Sequence, residues 1–395
     1  MELRQYFSLS RISLAAVGWL YALLAVFAAV QAILLGENPV ENGIYTHYNN
    51  YVIFKYSFFH LLEGKDLYVF HPNDHFDLYK YSPTFALLFG VFAPFPDVIG
   101  LSLWNLANAM AIYWGIRRAD FLSEGAQKSV LLFAVIEMLT SLQNSQSNAL
   151  IAGLFIWAFI WLEKRQYAWA TLAILLTGFI KIFGVALFAI CIFYPQKWKI
   201  ILYSLFWGIV LLLLPLPFTG WEYLLSLYKS WWELLKNDHS ISYGLSVMGW
   251  LASWFHWEPP KNTVVLAGLA ILLLPLLRIR AYKELPFRLA FFASLLCWVV
   301  IFNHKAESPT FIIPVAGLAM WYFRQEKAPL VITALMVAVF VLTSLSPTDL
   351  FPRSLRDEVV IPYVLKAAPC IFLWIALQWE MRFRISDFRF RIGDS

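Results

Sequence analysis

The sequence predicts an all-α protein that crosses a membrane many times: a bundle of about twelve spans with amphipathic helices outside it. Three observations carry this. Of the 395 residues, 61% are hydrophobic and only 14% charged, against about 25% charged in a soluble globular protein. Apolar runs recur along the whole length, several near the roughly 20 residues that cross a hydrocarbon core. The polar residues gather in a few loops and at the two ends.

Arg4 and Arg11 precede the first apolar run, 13–36. No small-residue cleavage site follows it, so it reads as a retained span rather than a signal peptide. Further spans are expected at 82–95, 98–116, 128–142, 149–162, 167–194, 200–218, 263–277, 286–303, 309–323, 328–345 and 359–379. After the last comes a basic tail, 380–395, with Arg382, Arg384, Arg389 and Arg391. Basic clusters stay on the cytoplasmic side, so both termini are expected inside, which an even number of spans allows. An anionic lipid surface is partner enough for this tail, and no nucleic acid is expected.

Strict alternation would place Arg117, Arg118 and Lys128, and also Lys164 and Arg165, outside, against the charge rule. Counting 82–116 as one net crossing and 167–194 as a hairpin returns them inside. Lys181, in the middle of the 28-residue run, suits a broken helix. Both topologies leave the loops 37–81, 219–262 and 304–308 on the external face. Cys191, Cys297 and Cys370 lie in apolar runs without CxxC spacing, which gives neither a disulfide framework nor a zinc site. No internal repeat or linker divides the chain, so residues 1–395 are read as one domain.

Within the first loop, NNYVIFKYSFFHLLEGKDLY (Asn49–Tyr68) reads as an amphipathic helix ending at a glycine, too short in its apolar runs to span. Behind it come Glu63, Asp66, Asp74 and Asp77, interleaved with Lys55, Lys65 and Lys80. Two histidines and two acids in HPNDHFD (His71–Asp77) leave a divalent metal open, but the spacing matches no known ligand set, and no cofactor is required. In the second loop, WEYLLSLYKSWWELLK (Trp221–Lys236) places Trp221, Leu224, Leu225, Tyr228, Trp232 and Leu235 near one face. That pattern suits the headgroup layer, as an anchor or as part of a substrate site.

Four polar groups need a reason. An ionised side chain in mid-bilayer costs about 2.5–3.5 kcal/mol on insertion scales. Lys181, in TGFIKIFG, therefore either pairs with an acid such as Glu137 or faces an anionic substrate. NHKAESP (Asn303–Pro309) packs His304, Lys305 and Glu307 into a short connection. Pro309 suits a helix start, and imidazole plus ammonium suits a phosphate. QNSQSN (Gln143–Asn148) can cap two helix ends, with amides to spare for a hydroxylated ligand. The acids of the first loop can serve as a base or as ordinary loop charges.

Taken in order, several pieces resemble the glycosyltransferase family 87 proteins, membrane enzymes of the GT-C class. They are LLEGKDLY (Leu61–Tyr68), YKYSPTFALLFGVFAPFP (Tyr79–Pro96), QNSQSNALIAGLFIWAF, GFIKIFGVALFAICIFYPQKWK (Gly178–Lys199) and HSISYGL, and the resemblance spans about residues 10–325. It implies a GT-C-like bundle in a bacterial plasma membrane, with the first external loop over a lipid-facing cavity. It implies a polyprenyl-phosphate sugar as donor, a lipid-linked or surface-glycan acceptor, and a loop acid as base. Where that acid usually stands, near the start of the amphipathic helix, this chain has Asn49 and Asn50, and an amide has no useful basicity. Asp66, on the family's G-x-D-x-Y position, and Asp77 are the remaining candidates. His304 falls on a late external histidine of the family and Lys181 on its intramembrane lysine. With Lys305 they are expected to hold the donor phosphate, while Asn49, Asn50, Gln143, Asn148 and Glu307 line the substrate pocket. Attack opposite the leaving phosphate inverts the anomeric centre, and a mannose-like hexose has the most precedent. The alternative is a non-catalytic sugar-lipid binding protein or a transporter of lipid-linked oligosaccharides. A transporter should carry charged groups near mid-membrane on several helices; only Lys181 and Glu137 fit that pattern.

Overall fold

A computed structural model describes residues 12–40, 43–237 and 242–383. Arg4, Arg11, the tail beyond 383 and residues 239–241 of HSISYGL lie outside the described residues. The expectation of helix holds. In chain order the α-helices are α1 (Leu14–Leu35), α2 (Asn49–Leu62), α3 (Pro83–Leu88), α4 (Asp97–Arg117), α5 (Glu124–Gln143), α6 (Asn148–Glu163), α7 (Tyr167–Ile180), α8 (Lys197–Leu213), α9 (Leu216–Thr219) and α10 (Trp221–Asn237). Then follow α11 (Val247–Phe255), α12 (Lys261–Leu273), α13 (Leu285–Ile301), α14 (Ile312–Arg324), α15 (Leu330–Ala338), α16 (Arg353–Leu355) and α17 (Ala368–Phe383). One antiparallel hairpin, β1 (Glu37–Val40) with β2 (Gly43–Thr46), pairs Glu37 with Thr46 ahead of α2; the sequence reading did not expect it.

The described residues do not confirm the expected twelve spans. Three helices are long and apolar enough to cross a membrane: Leu14–Leu35, Glu124–Gln143 and Lys197–Thr219. The runs 98–116, 149–162 and 286–303 are continuous in α4, α6 and α13, whereas several others are broken. The run 167–194 stops at Ile180, where Lys181 turns extended (φ −134°, ψ 124°) before a 3₁₀ stretch, Ile182–Phe193. The run 82–95 yields only α3 and a short 3₁₀ turn. The run 328–345 passes into π-helix at Val339, and 359–379 becomes α-helix only at Ala368. Runs of apolar residues measure hydrophobicity, not helix length, and the backbone breaks fall inside them.

The chain divides into two compact units, Met1–Asp120 with Glu137–His239, and Phe121–Ile136 with Ser240–Ser395. In the first unit, α1 begins where the Ser13 hydroxyl accepts the Ala16 amide at 3.1 Å, an N-cap. It ends at Gly36, whose φ of 73° favours a residue without Cβ. Small residues let its neighbours approach. A Cβ on Gly153 of α6 would lie 2.6–2.9 Å from Ala111 and Ile112 of α4, the close backbone contact typical of helices in lipid.

The amphipathic helix α2 turns its apolar face onto protein. Phe54 is fully buried and meets Phe85 at 5.2 Å, Phe89 at 5.4 Å and Trp104 at 5.9 Å between ring centres. Burying one such ring contributes about 1.5–3 kcal/mol. The helix ends as the sequence suggested. Gly64 has φ +73°, and the Lys65 amide donates back to the His60 carbonyl at 3.0 Å, a Schellman-type closure. In the second unit, α13 packs against α14 and α17, and the buried Lys366 donates to the Thr343 carbonyl at 2.8 Å over the Phe311 ring.

Candidate functional site

The first unit carries the loop acids, and each is held differently. Asp66 is half-buried and uses both carboxylate oxygens: Oδ1 accepts the Tyr68 amide at 3.0 Å, and Oδ2 accepts the Ser230 hydroxyl of α10 at 3.0 Å. Beside it, the Tyr223 hydroxyl donates to the Lys65 carbonyl at 2.5 Å. Burial, with the Asp66 charge adding to it, pushes Tyr223 up to about 12. Asp66 therefore fastens the loop to α10.

Asp77 is exposed and sits in the left-handed region, φ +76°, a conformation that Asp and Asn tolerate better than most residues. Its Oδ1 accepts the Leu78 amide at 2.7 Å, which leaves Oδ2 at the surface. Asn49, where the family's acid is expected, donates from Nδ2 to the Phe76 carbonyl at 2.8 Å. Phe76, the acceptor, immediately precedes Asp77 in the chain. Asn50 donates to the Asn144 carbonyl at 2.9 Å, so both asparagines brace backbone.

Asp97, which the sequence reading did not single out, and Asp74 also act as ties. Asp97, at the start of α4, accepts the Lys55 ammonium at 2.5 Å and the Tyr48 hydroxyl at 3.3 Å, and so pins α2. Asp74 meets His60 at 2.9 Å. His60 lies in the last turn of α2 with its side chain 2% exposed, and its ring centre lies 4.0 Å from that of His71, the planes tilted by 36°. The His60, His71 and Asp74 donor atoms all lie within 4.8 Å of one another. His75 is buried beside them, 5.8 Å from His71 and 6.0 Å from His60 between ring centres. Burial pulls the His60 pKa down against its hydrogen bond to Asp74, and pulls His75 down to about 4. Burial thus favours the neutral form of both rings. The sequence reading saw HPNDHFD but missed His60, because 11 residues and a helix terminus separate it from His71; its place on the inward face of α2 was the available signal.

Lys181, the mid-run lysine, bonds an amide of the QNSQSN joint. Lys181 Nζ donates to Asn148 Oδ1 at 2.9 Å, and Asn148 is hydrogen-bonded in turn to Gln146. The exposed amides of the QNSQSN joint also bond protein: Gln143 donates to Gln31 and Asn144 to the Thr140 carbonyl, each at 2.8 Å. Asn148 is buried, whereas Gln143 is exposed.

The expected face of α10 splits in two. Leu224 and Leu227 are buried, Tyr228 bonds Thr84 and the Leu212 carbonyl, and Trp231 donates to the Lys80 carbonyl. Trp221, Leu225 and Trp232 form a separate exposed stripe.

In the second unit, the two late motifs meet. The Leu245 amide donates to the Ala306 carbonyl at 3.1 Å, and a Cβ on Gly244 (φ +56°) would lie 2.5 Å from the His304 carbonyl oxygen. Gly244 is the residue that lets the chain pass this close. His304 is half-exposed, Lys305 and Glu307 are exposed, and the Lys305 amide is held by Asn303 Oδ1 at 3.0 Å.

The described chain is helical, and three of its helices are long and apolar enough to cross a membrane. Residues 79–303 match glycosyltransferase family 87. That is more than half of the chain, and the chain belongs to this family, which implies a glycosyltransferase acting on a sugar donor and an acceptor. The matched region holds Lys181 and the QNSQSN joint but begins after Asp66 and Asp77 and ends one residue before His304. No curated protein matches the chain.

Proposed function

We propose that this protein is an integral membrane hexosyltransferase. It moves a mannose-like sugar from a polyprenyl-phosphate donor to a lipid-linked or surface-glycan acceptor, with inversion, at the external face of a bacterial plasma membrane. The observation that carries the reading is the Asn49–Phe76 hydrogen bond. Phe76 immediately precedes Asp77 in the chain, which supports reading Asp77 as the acid that stands in for the family's loop carboxylate.

The chemistry needs little more. A lipid phosphate is already a leaving group, so the protein must take the proton of the acceptor hydroxyl and stabilise the departing phosphate. Asp77, with one oxygen at the surface, takes the proton. Asp66, with both oxygens engaged, positions the loop. The phosphate roles of His304, Lys305 and Lys181 rest on the family resemblance. The test is radiolabelled sugar transfer from polyprenyl-phosphate donors in membranes, comparing wild type with Asp66→Asn, Asp77→Asn and His304→Ala. Loss in Asp77→Asn with the protein still folded supports the assignment. Absence of transfer from every donor in wild type favours the non-catalytic binding role that Asn49 and Asn50 permit.

A further inference from the structure

We propose that His60, His71 and Asp74 form a binding site for a transition-metal dication such as Zn²⁺, with the neighbouring His75 or solvent completing the coordination. Three features of the cluster point to a ligand set rather than to loop charges.

The first is proximity: donor atoms from a helix end and a turn lie within 4.8 Å of one another. The turn is itself ordered, since the Asp74 and His75 amides both donate to the His71 carbonyl at 3.0 Å. That carries Asp74 and His75 round towards His60.

The second is orientation. His71 Nε2 donates to the Asp66 carbonyl at 2.8 Å, and His75 Nδ1 donates to the Asp77 carbonyl at 2.9 Å. Each bond fixes the ring proton on one nitrogen and leaves the lone pair on the other, the arrangement that metal-ligating histidines use. On binding, His60 takes the tautomer protonated at Nδ1. Two coordinate bonds then replace its hydrogen bond to Asp74, with no net change in protons.

The third is chemistry. Imidazoles with one carboxylate suit Zn²⁺, Ni²⁺, Co²⁺ or Fe²⁺. Mg²⁺ and Ca²⁺ prefer oxygen ligands. The carbonyls that orient His71 and His75 belong to Asp66 and Asp77, so a bound ion would stiffen the stretch that bears both acids.

The test is metal binding by the full chain in detergent, carrying a tag without histidines, after removal of metal with a chelator. Wild type should take up one Zn²⁺ per chain in a form that excess Mg²⁺ does not displace. Co²⁺ in its place should give the strong visible bands of a four-coordinate ion. His71→Ala and Asp74→Asn should weaken binding at least about tenfold, with size-exclusion and circular dichroism confirming that they fold. Wild type binding Zn²⁺ no better than a His71→Ala/His75→Ala double variant would overturn the proposal and leave the cluster a hydrogen-bonded clamp. Weak, octahedral Co²⁺ bands in wild type would overturn it without reference to any variant. None of these readouts depends on sugar transfer.

Discussion

Replacing Asp77 with asparagine separates basicity from structure more cleanly than any other change in this loop. The backbone there is left-handed at φ +76°, and asparagine, like aspartate, tolerates that region. The amide oxygen still accepts the Leu78 amide that Oδ1 now holds at 2.7 Å. The carboxylate is exposed, so its loss leaves no buried group unpaired, and surface changes of this kind stay within about 0.5 kcal/mol in stability. Only proton acceptance is removed. A positioned general base is worth about 10²–10⁴-fold, or about 3–5 kcal/mol in the barrier at 1.36 kcal/mol per tenfold. Initial rates of sugar transfer in membranes should fall by that factor, while thermal unfolding in detergent stays where it was. Asp77→Gly extends the test, because glycine relieves the left-handed strain and yet has no base. It should be at least as stable as wild type and equally inactive. Transfer by Asp77→Asn within about threefold of wild type would refute the assignment of the base.

Asn49→Asp would set a carboxylate oxygen against the Phe76 carbonyl in place of a hydrogen bond of 2.8 Å. A lost bond with an unpaired partner costs about 1–3 kcal/mol, which a thermal shift in detergent should register even though the family's usual acid has been restored. Lys181→Met removes the donor to the buried Asn148 Oδ1. It should destabilise by a similar amount, about 1–3 kcal/mol, read by the same unfolding assay. Gly244→Ala would put a Cβ 2.5 Å from the His304 carbonyl oxygen at a φ of +56°. The left-handed conformation alone costs about 1–2 kcal/mol, so the turn at 304–308 should become more susceptible to limited proteolysis and transfer should fall.

How much of this was legible in the sequence depended on range. Composition and apolar runs gave a helical membrane-type chain, and Gly64 marked the end of α2, because both are local properties. The family was legible from ordered motifs. Span number was not, since Lys181 and the π-helical segment at Val339 interrupt runs that look continuous to any measure of hydrophobicity. Among site residues, the amides illustrate the limit. Asn148, Asn49 and Asn50 are the right residue types for a sugar, yet their hydrogen bonds go to Lys181, Phe76 and Asn144, partners 27 to 94 residues away. His60 was hidden for the same reason: nothing in HPNDHFD says which face of an earlier helix will meet it.

His60 acts through two different parts of itself. Its carbonyl receives the Lys65 amide and finishes α2, while its ring meets Asp74 and lies on His71. Unwinding the last turn of α2 therefore swings the ring away from the turn at 71–75, and pulling that turn away leaves the ring without support. The two events share one residue and should occur together, as a single local opening rather than two. Hydrogen exchange at one backbone position, the Lys65 amide, would then report when the whole stretch from His60 to Asp77 is assembled.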